Sequence, residues 1–148
     1  MNHKAYATVL GGLAFAFFLR VLGQALVALD LASVLPPMEE WFSGLLAYRV
    51  LLPIQILILV VQAMMVRDIW RGSGLFALRR PGVGLPLRWF SCIYFAAMVV
   101  RYVLTMTMYP ERRWLTGTIP IFFHCVLAAY LFVLGEYHSS RLEAKTAA

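Results

Sequence analysis

The chain has 148 residues and a formal net charge of +6, and 62% of its residues are hydrophobic while only 14% are charged. This composition excludes an intrinsically disordered chain and argues against an ordinary soluble domain. The basic residues are spread along short segments beside apolar stretches, which indicates orientation in a membrane and no nucleic-acid partner.

Four apolar stretches are long enough to cross a bilayer, which needs about 20 helical residues. Their approximate bounds are residues 6–29, 50–66, 89–109 and 119–137. They use most of the chain and leave no room for a second soluble domain. We therefore predict one transmembrane domain over residues 1–148, folded as an all-α integral membrane bundle of four transmembrane helices.

A short outer interfacial helix is predicted between the first two spans. Pro37 suits the first position of a helix, and the carboxylates of Glu39 and Glu40 suit its first turn. Trp41, Phe42 and Tyr48 follow, and aromatic rings of this kind settle at the headgroup level of a membrane.

The positions of lysine and arginine predict the orientation, because cytoplasmic loops carry an excess of these residues. The three on the outer side are Arg49, Arg112 and Arg113. The eight predicted to be cytoplasmic are Lys4, Arg67, Arg71, Arg79, Arg80, Arg88, Arg141 and Lys145. We therefore predict a multi-pass protein of the bacterial inner (cytoplasmic) membrane with both termini cytoplasmic.

Arg20 and Arg101 lie inside the first and third predicted spans. A charge near the bilayer centre costs at least about 2.5–3.5 kcal/mol, so it usually faces protein or a polar cavity and has a partner. The nearest acids all fall in the predicted outer loops: Asp30, Glu39, Glu40 and Glu111. The negative charge that pairs with Arg20 and Arg101 then comes from one of these acids, a lipid headgroup, a ligand or another subunit. The alternative is an arginine bonded to backbone carbonyls and glutamines.

Each span has one polar stripe, the pattern expected of a bundle with a polar interior. In the first span the stripe follows a four-residue spacing, which predicts a face packed against protein: Gly12, Ala16, Arg20, Gln24 and Ala28. The second span has Tyr48, Gln55 and Gln62, each seven residues apart. The third has Tyr94, Arg101 and Thr105, and the fourth has His124.

With the predicted orientation, the central members of these stripes lie about 7–15 Å below the outer surface. We therefore predict one polar site for a ligand or a subunit contact in the outer half of the membrane. Its predicted members are Arg20, Gln24, Gln55, Tyr94, Arg101, Thr105 and His124. The alternative is a helix–helix seam held together by polar side chains.

Catalytic, metal and cofactor chemistry find little support in the sequence. His3 and His138 fall near the predicted cytoplasmic side, so neither matches His124 in depth as a second haem ligand. One histidine is too few for a metal site. The hydroxyl and thiol of Ser91 and Cys92 have no histidine at their depth. No cofactor is expected.

Three functions remain open. The leading one is a non-enzymatic accessory or assembly subunit of a larger inner-membrane complex, with other membrane subunits or a second copy of the chain as partners. The alternative is a binder or transporter of a lipid, a quinone or a small anion. The third is a lipid-modifying membrane enzyme with His124 as its acid–base group. The lack of a carboxylate close to His124 within the spans counts against it.

Overall fold

The computed structural model describes residues 2–31, 34–41, 47–108 and 118–146, with the backbone alone for residue 39 and residues 141–146. The described residues form no strand, and each of the four long helices is long and apolar enough to cross a membrane. The prediction of four long apolar helices is therefore confirmed. The helices are α1 His3–Ala28, α2 Tyr48–Arg71, α3 Pro81–Met108 and α4 Ile119–Thr146.

Local signals explain where the helices begin and end. The side chain of Asn2 caps α1 by accepting a 2.8 Å hydrogen bond from the backbone N–H of Ala5. Gly72 ends α2 in the left-handed region at φ 66°, where glycine has no Cβ penalty. Pro81 is the first residue of α3, so this helix begins earlier than the predicted span.

The predicted interfacial helix is shorter in the structure than expected. It is a single 3₁₀ turn, Met38–Glu40, which follows Pro37 in extended conformation. The indole N–H of Trp41 then donates a 2.9 Å hydrogen bond back to the carbonyl of Pro36. Phe42 lies outside the described residues. The position of this turn at a membrane surface stays a prediction.

The helices alternate in direction, so the two ends of the bundle differ. The start of α1 and the end of the apolar part of α4 meet at one end, where the rings of Tyr6 and Tyr137 lie 5.6 Å apart. We call this the terminal end and the opposite one the far end. α1 packs against α2 and α4, and α4 packs in turn against α3. α2 and α3 form no packed interface with each other along their described lengths.

The hydrophobic core lies at the terminal end. Its buried members come from α1, α2 and α4: Tyr6, Ala7, Leu10, Ile69, Tyr130, Leu134 and Tyr137. Leu87 packs against this cluster from α3. The side chains that face outward are largely apolar, and Phe15, Leu57 and Ile93 are more than half exposed. Firm packing at the terminal end leaves the far end as the part of the bundle with space between helices.

Substitution of Tyr137 by phenylalanine is expected to lower the free energy of unfolding by about 0.5–1.5 kcal/mol, as for an ordinary lost hydrogen bond. The hydroxyl of Tyr137 donates a 2.5 Å hydrogen bond to the carbonyl of Ala77, in the loop between α2 and α3. Tyr102→Phe is the control, because no described residue bonds to the Tyr102 hydroxyl. Unfolding of the detergent-solubilised chain measures both, and an equal loss in the two variants would contradict the prediction.

The closest helix contact joins α3 to α4 through two glycines. A Cβ added at Gly84 would lie 2.7 Å from the backbone nitrogen of Ser139, and one added at Gly135 would lie 3.1 Å from the carbonyl oxygen of Gly84. Small residues permit this approach of two helix backbones in a membrane. The ion pair between Arg88 Nε and Glu136 Oε1, at 2.7 Å, lies beside the same contact.

The four-residue stripe predicted on α1 is wrong over most of its length. Arg20 and Gln24 are buried, but Gly12 and Ala28 are exposed. An α-helix has 3.6 residues per turn, so each step of four residues rotates by about 40° away from the starting face. The stripe therefore leaves the protein interior within two steps. The face that is buried contains Tyr6, Leu10, Phe17, Arg20 and Gln24.

Candidate functional site

A cavity of about 440 Å³ lies between the helices towards the far end of the bundle. Side chains from all four helices line it, and its volume is within the range of small-molecule sites. Its polar lining residues are Arg20, Gln55, Tyr94, Arg101 and His124. Its apolar lining residues are Phe17, Leu51, Ile54, Ile58, Met98, Pro120, Phe123 and Leu127.

Arg20 contributes the most deeply buried charge of the cavity, with only 7% of its surface exposed. One guanidinium nitrogen, Nη2, donates a 2.8 Å hydrogen bond to the backbone carbonyl of Trp41. The guanidinium carbon also lies 5.9 Å from the ring centroid of Phe123, on α4. Nε is buried and has no hydrogen-bond partner among the described residues. Arg20 is thus held in place by one bond and keeps a free donor.

Trp41 reaches Arg20 because α1 has a glycine one turn further on. The indole of Trp41 is buried against Gly23, where an added Cβ would lie 2.6 Å from the ring. The 3₁₀ turn before Trp41 brings its backbone back over the far end of α1. The backbone-carbonyl interpretation therefore holds for one bond of Arg20.

Gln24 and Gln55 form a buried pair between α1 and α2. The amide nitrogen of Gln55 donates a 3.1 Å hydrogen bond to the amide oxygen of Gln24, and both side chains are almost fully buried. Gln55 lines the cavity and Gln24 does not. The amide oxygen of Gln55 has no partner within the described part of the chain. Gln24 therefore positions Gln55 from behind the cavity wall.

Tyr94 and His124 join α3 to α4 at the cavity. The phenol oxygen of Tyr94 lies 2.5 Å from Nδ1 of His124, and the two rings meet edge to face at 5.8 Å. When Tyr94 donates this bond, the imidazole proton is on Nε2 and is available as a further donor. His124 is thus engaged within the protein through one ring nitrogen.

Arg101 brings the second charge to the cavity, from α3. Its side chain is half-buried and forms no hydrogen bond or ion pair with any described residue. The hydroxyl of Thr105 donates a hydrogen bond to the backbone carbonyl of Arg101, within the same helix. Thr105 does not line the cavity, although it was a predicted site residue.

None of the described carboxylates forms an ion pair with Arg20 or Arg101. The two ion pairs found among the described residues are those of Arg67 with Asp68 and of Arg88 with Glu136, both towards the terminal end. Glu111, Arg112 and Arg113 lie outside the described residues, as does the side chain of Glu39.

Four of the predicted site residues lie at similar distances from the far ends of their helices. Arg20 lies eight residues before the end of α1, and Arg101 lies seven residues before the end of α3. Gln55 and His124 lie seven and five residues after the starts of α2 and α4. At 1.5 Å per residue, all four are about 7–12 Å from the helix ends. Five of the seven predicted residues therefore line one cavity, and Gln24 and Thr105 stand behind its wall.

The sequence analysis did not include the carbonyl of Trp41 or the apolar lining of the cavity in the predicted site. The carbonyl of Trp41 is a backbone group, and no side-chain pattern could have identified it. Phe123 lies beside His124 and off its face, so helical periodicity did not select it. Ile54 likewise lies beside Gln55 in the sequence. The remaining apolar lining residues follow the polar stripes at spacings of three or four: Phe17, Leu51, Ile58, Met98, Pro120 and Leu127.

The cavity therefore presents hydrogen-bond donors and two positive charges in an apolar setting. The guanidinium groups of Arg20 and Arg101 can bind carboxylate or phosphate oxygens, which are the acceptors that arginine recognises best. Among the described residues, no group of three or more His, Cys, Asp or Glu side chains could hold a metal ion. No protein-family model, no curated protein and no solved structure matches this chain.

Proposed function

We propose that this protein binds a membrane-associated ligand with an anionic or carbonyl-bearing group in the cavity at the far end of its bundle. The observation that carries the proposal is the unpartnered polar lining. Arg101 has no partner among the described residues, and Arg20 Nε and the Gln55 amide oxygen are buried without one. Most buried polar groups in proteins are bonded, and a ligand in the cavity would supply partners for these three.

The same proposal includes the membrane in which the protein lies and its orientation there. The helices are apolar enough to cross a bilayer, and their outward faces expose large apolar side chains. The start of α1 and the end of α4 lie at the terminal end, and most of the basic residues in the sequence belong to segments near it. We propose that the protein crosses the bacterial inner membrane four times, with the terminal end in the cytoplasm.

Arg101→Gln is expected to lower ligand occupancy about tenfold to a hundredfold, as for the loss of a hydrogen bond to a charged group. Arg101 is the better target because Arg20 also bonds to Trp41 within the protein. Native mass spectrometry of the protein purified in mild detergent measures the mass and fraction of any retained ligand.

Arg49→Gln is the matched control. Arg49 is exposed at the start of α2, near the same end of the bundle, and does not line the cavity. The Arg49→Gln substitution removes the same charge without changing the site. The ligand occupancy of this variant should therefore equal that of the native chain. The absence of any retained ligand in the native chain, or equal occupancy in Arg101→Gln, would contradict the proposal.

A second candidate is an accessory or assembly subunit of a larger membrane complex. The half-buried and unpaired guanidinium of Arg101 favours it, because a carboxylate on another subunit would complete the same site. Co-purification of a membrane protein with the native chain, and its loss in Arg101→Gln, would support this function. Purification as a stable monomer without other subunits would count against it.

A further inference from the structure

α2 and α3 leave a gap between them beside the cavity. Both helices contribute lining side chains, yet they form no packed interface with each other. The other neighbouring pairs, α1 with α2, α1 with α4 and α3 with α4, are closed by packing. Along the described helices the cavity is therefore bounded by packed helix pairs on three sides and is open on the fourth, where a bilayer would lie if the helices cross a membrane.

The walls of this gap are suited to a hydrocarbon chain. On α2, Ile54 and Ile58 line the cavity on either side of Gln55, and Ile54 is 43% exposed. On α3, Met98 lies between Tyr94 and Arg101. If a water-soluble anion bound at the arginines, these apolar side chains would stay in contact with water, and water would fill most of the cavity. A ligand with an attached hydrocarbon chain covers them.

The positive charge of the cavity indicates which polar group of a ligand would bind there. Arg20 and Arg101 both line it, and neither forms an ion pair with a described carboxylate. A neutral quinone would offer acceptors and leave both charges uncompensated. A phosphate offers several acceptor oxygens and negative charge together, which matches two guanidinium groups and the free donor of Arg20.

We infer that the ligand is a membrane lipid with a phosphate head group, which enters sideways between α2 and α3 and leaves its hydrocarbon chain in that gap. This inference rests on the proposed function and specifies its ligand. The phosphate lies between Arg20 and Arg101, and the chain passes Ile54 and Met98 into the bilayer.

The test uses the full chain in detergent and three probes in native mass spectrometry. The probes are dioleoyl phosphatidylglycerol, dioleoylglycerol without phosphate, and water-soluble glycerol 3-phosphate. The double variant Ile54→Trp with Met98→Trp fills the gap, where no packed interface has to be displaced. Leu57→Trp with Ile93→Trp is the control, because both side chains are outward-facing and neither lines the cavity.

The native chain is expected to bind phosphatidylglycerol and to bind dioleoylglycerol at least tenfold more weakly. The gap-filling variant should lose at least tenfold in phosphatidylglycerol affinity, and the control variant should keep it. Unchanged lipid affinity in the gap-filling variant would overturn the sideways route. Glycerol 3-phosphate binding as tight as that of the lipid would overturn the lipid assignment. Dioleoylglycerol binding as tight as that of phosphatidylglycerol would overturn the phosphate assignment and leave the proposed function standing, since dioleoylglycerol is a membrane-associated ligand with ester carbonyls. Loss of phosphatidylglycerol affinity in the control as well would overturn the inference, since the gap would not be the cause.

Discussion

Gly84→Ala is expected to destabilise the bundle by about 1–3 kcal/mol, the usual cost of forcing extra volume into a packed contact. The added Cβ would lie 2.7 Å from the backbone nitrogen of Ser139 and 3.0 Å from the carbonyl oxygen of Gly135. Backbone atoms cannot rotate away as side chains do, so α3 and α4 must separate. Reversible unfolding of the detergent-solubilised chain in sodium dodecyl sulfate measures the change.

Gly82→Ala is the matched control on the same helix. A Cβ at Gly82 would have no heavy atom within 4 Å, and the same holds for Gly12 on α1. Alanine there should be neutral or should stabilise by up to about 1 kcal/mol through its higher helix propensity. Equal effects of Gly84→Ala and Gly82→Ala would show that the α3–α4 contact is looser than the structure describes.

Gln24→Met is expected to cost about 1–2 kcal/mol, because it leaves the buried amide nitrogen of Gln55 without its acceptor. Gln55→Met should cost a similar amount, because it removes the donor. The double variant should recover most of the loss, since both polar groups of the pair are then gone and methionine has a similar shape. The same unfolding measurement, arranged as a double-mutant cycle, gives the coupling free energy.

A coupling free energy near zero would contradict the Gln24–Gln55 bond. Gln62→Met is the control for the chemical change on α2. Gln62 is also buried, and it lies outside both the cavity lining and the Gln24–Gln55 pair. Its amide oxygen has no described partner, so its replacement should remove an unsatisfied group without affecting the pair.

The polar stripes were predictable where their spacing matches the helix. Gln55 and Gln62 are seven residues apart, nearly two full turns, and both are buried as the stripe requires. Tyr94 and Arg101 have the same spacing and both line the cavity. The four-residue spacing on α1 failed at Gly12 because the rotation accumulates with every step. The lesson is that a seven-residue stripe follows one face, whereas a four-residue stripe winds around the helix.

The two arginines show what a sequence cannot assign. Arg20 and Arg101 were equivalent in the sequence, as charges inside apolar spans. In the structure, Arg20 is tied to the carbonyl of Trp41 and is 7% exposed, whereas Arg101 has no described partner. The difference arises from the backbone of a distant turn and from a glycine at position 23 that admits the indole. Neither feature has a periodic signal.

The sequence by itself determined the four apolar helices and where the polar side chains lie along them, because hydropathy and a rise of 1.5 Å per residue depend on the chain alone. The tertiary structure decided which helices are neighbours. α1 and α4 occupy the centre, and α2 and α3 stay apart. The pairing depends on contacts between residues far apart in the chain, such as Gly84 with Gly135 and Gln24 with Gln55. That arrangement alone turned five separate polar residues into the wall of one cavity.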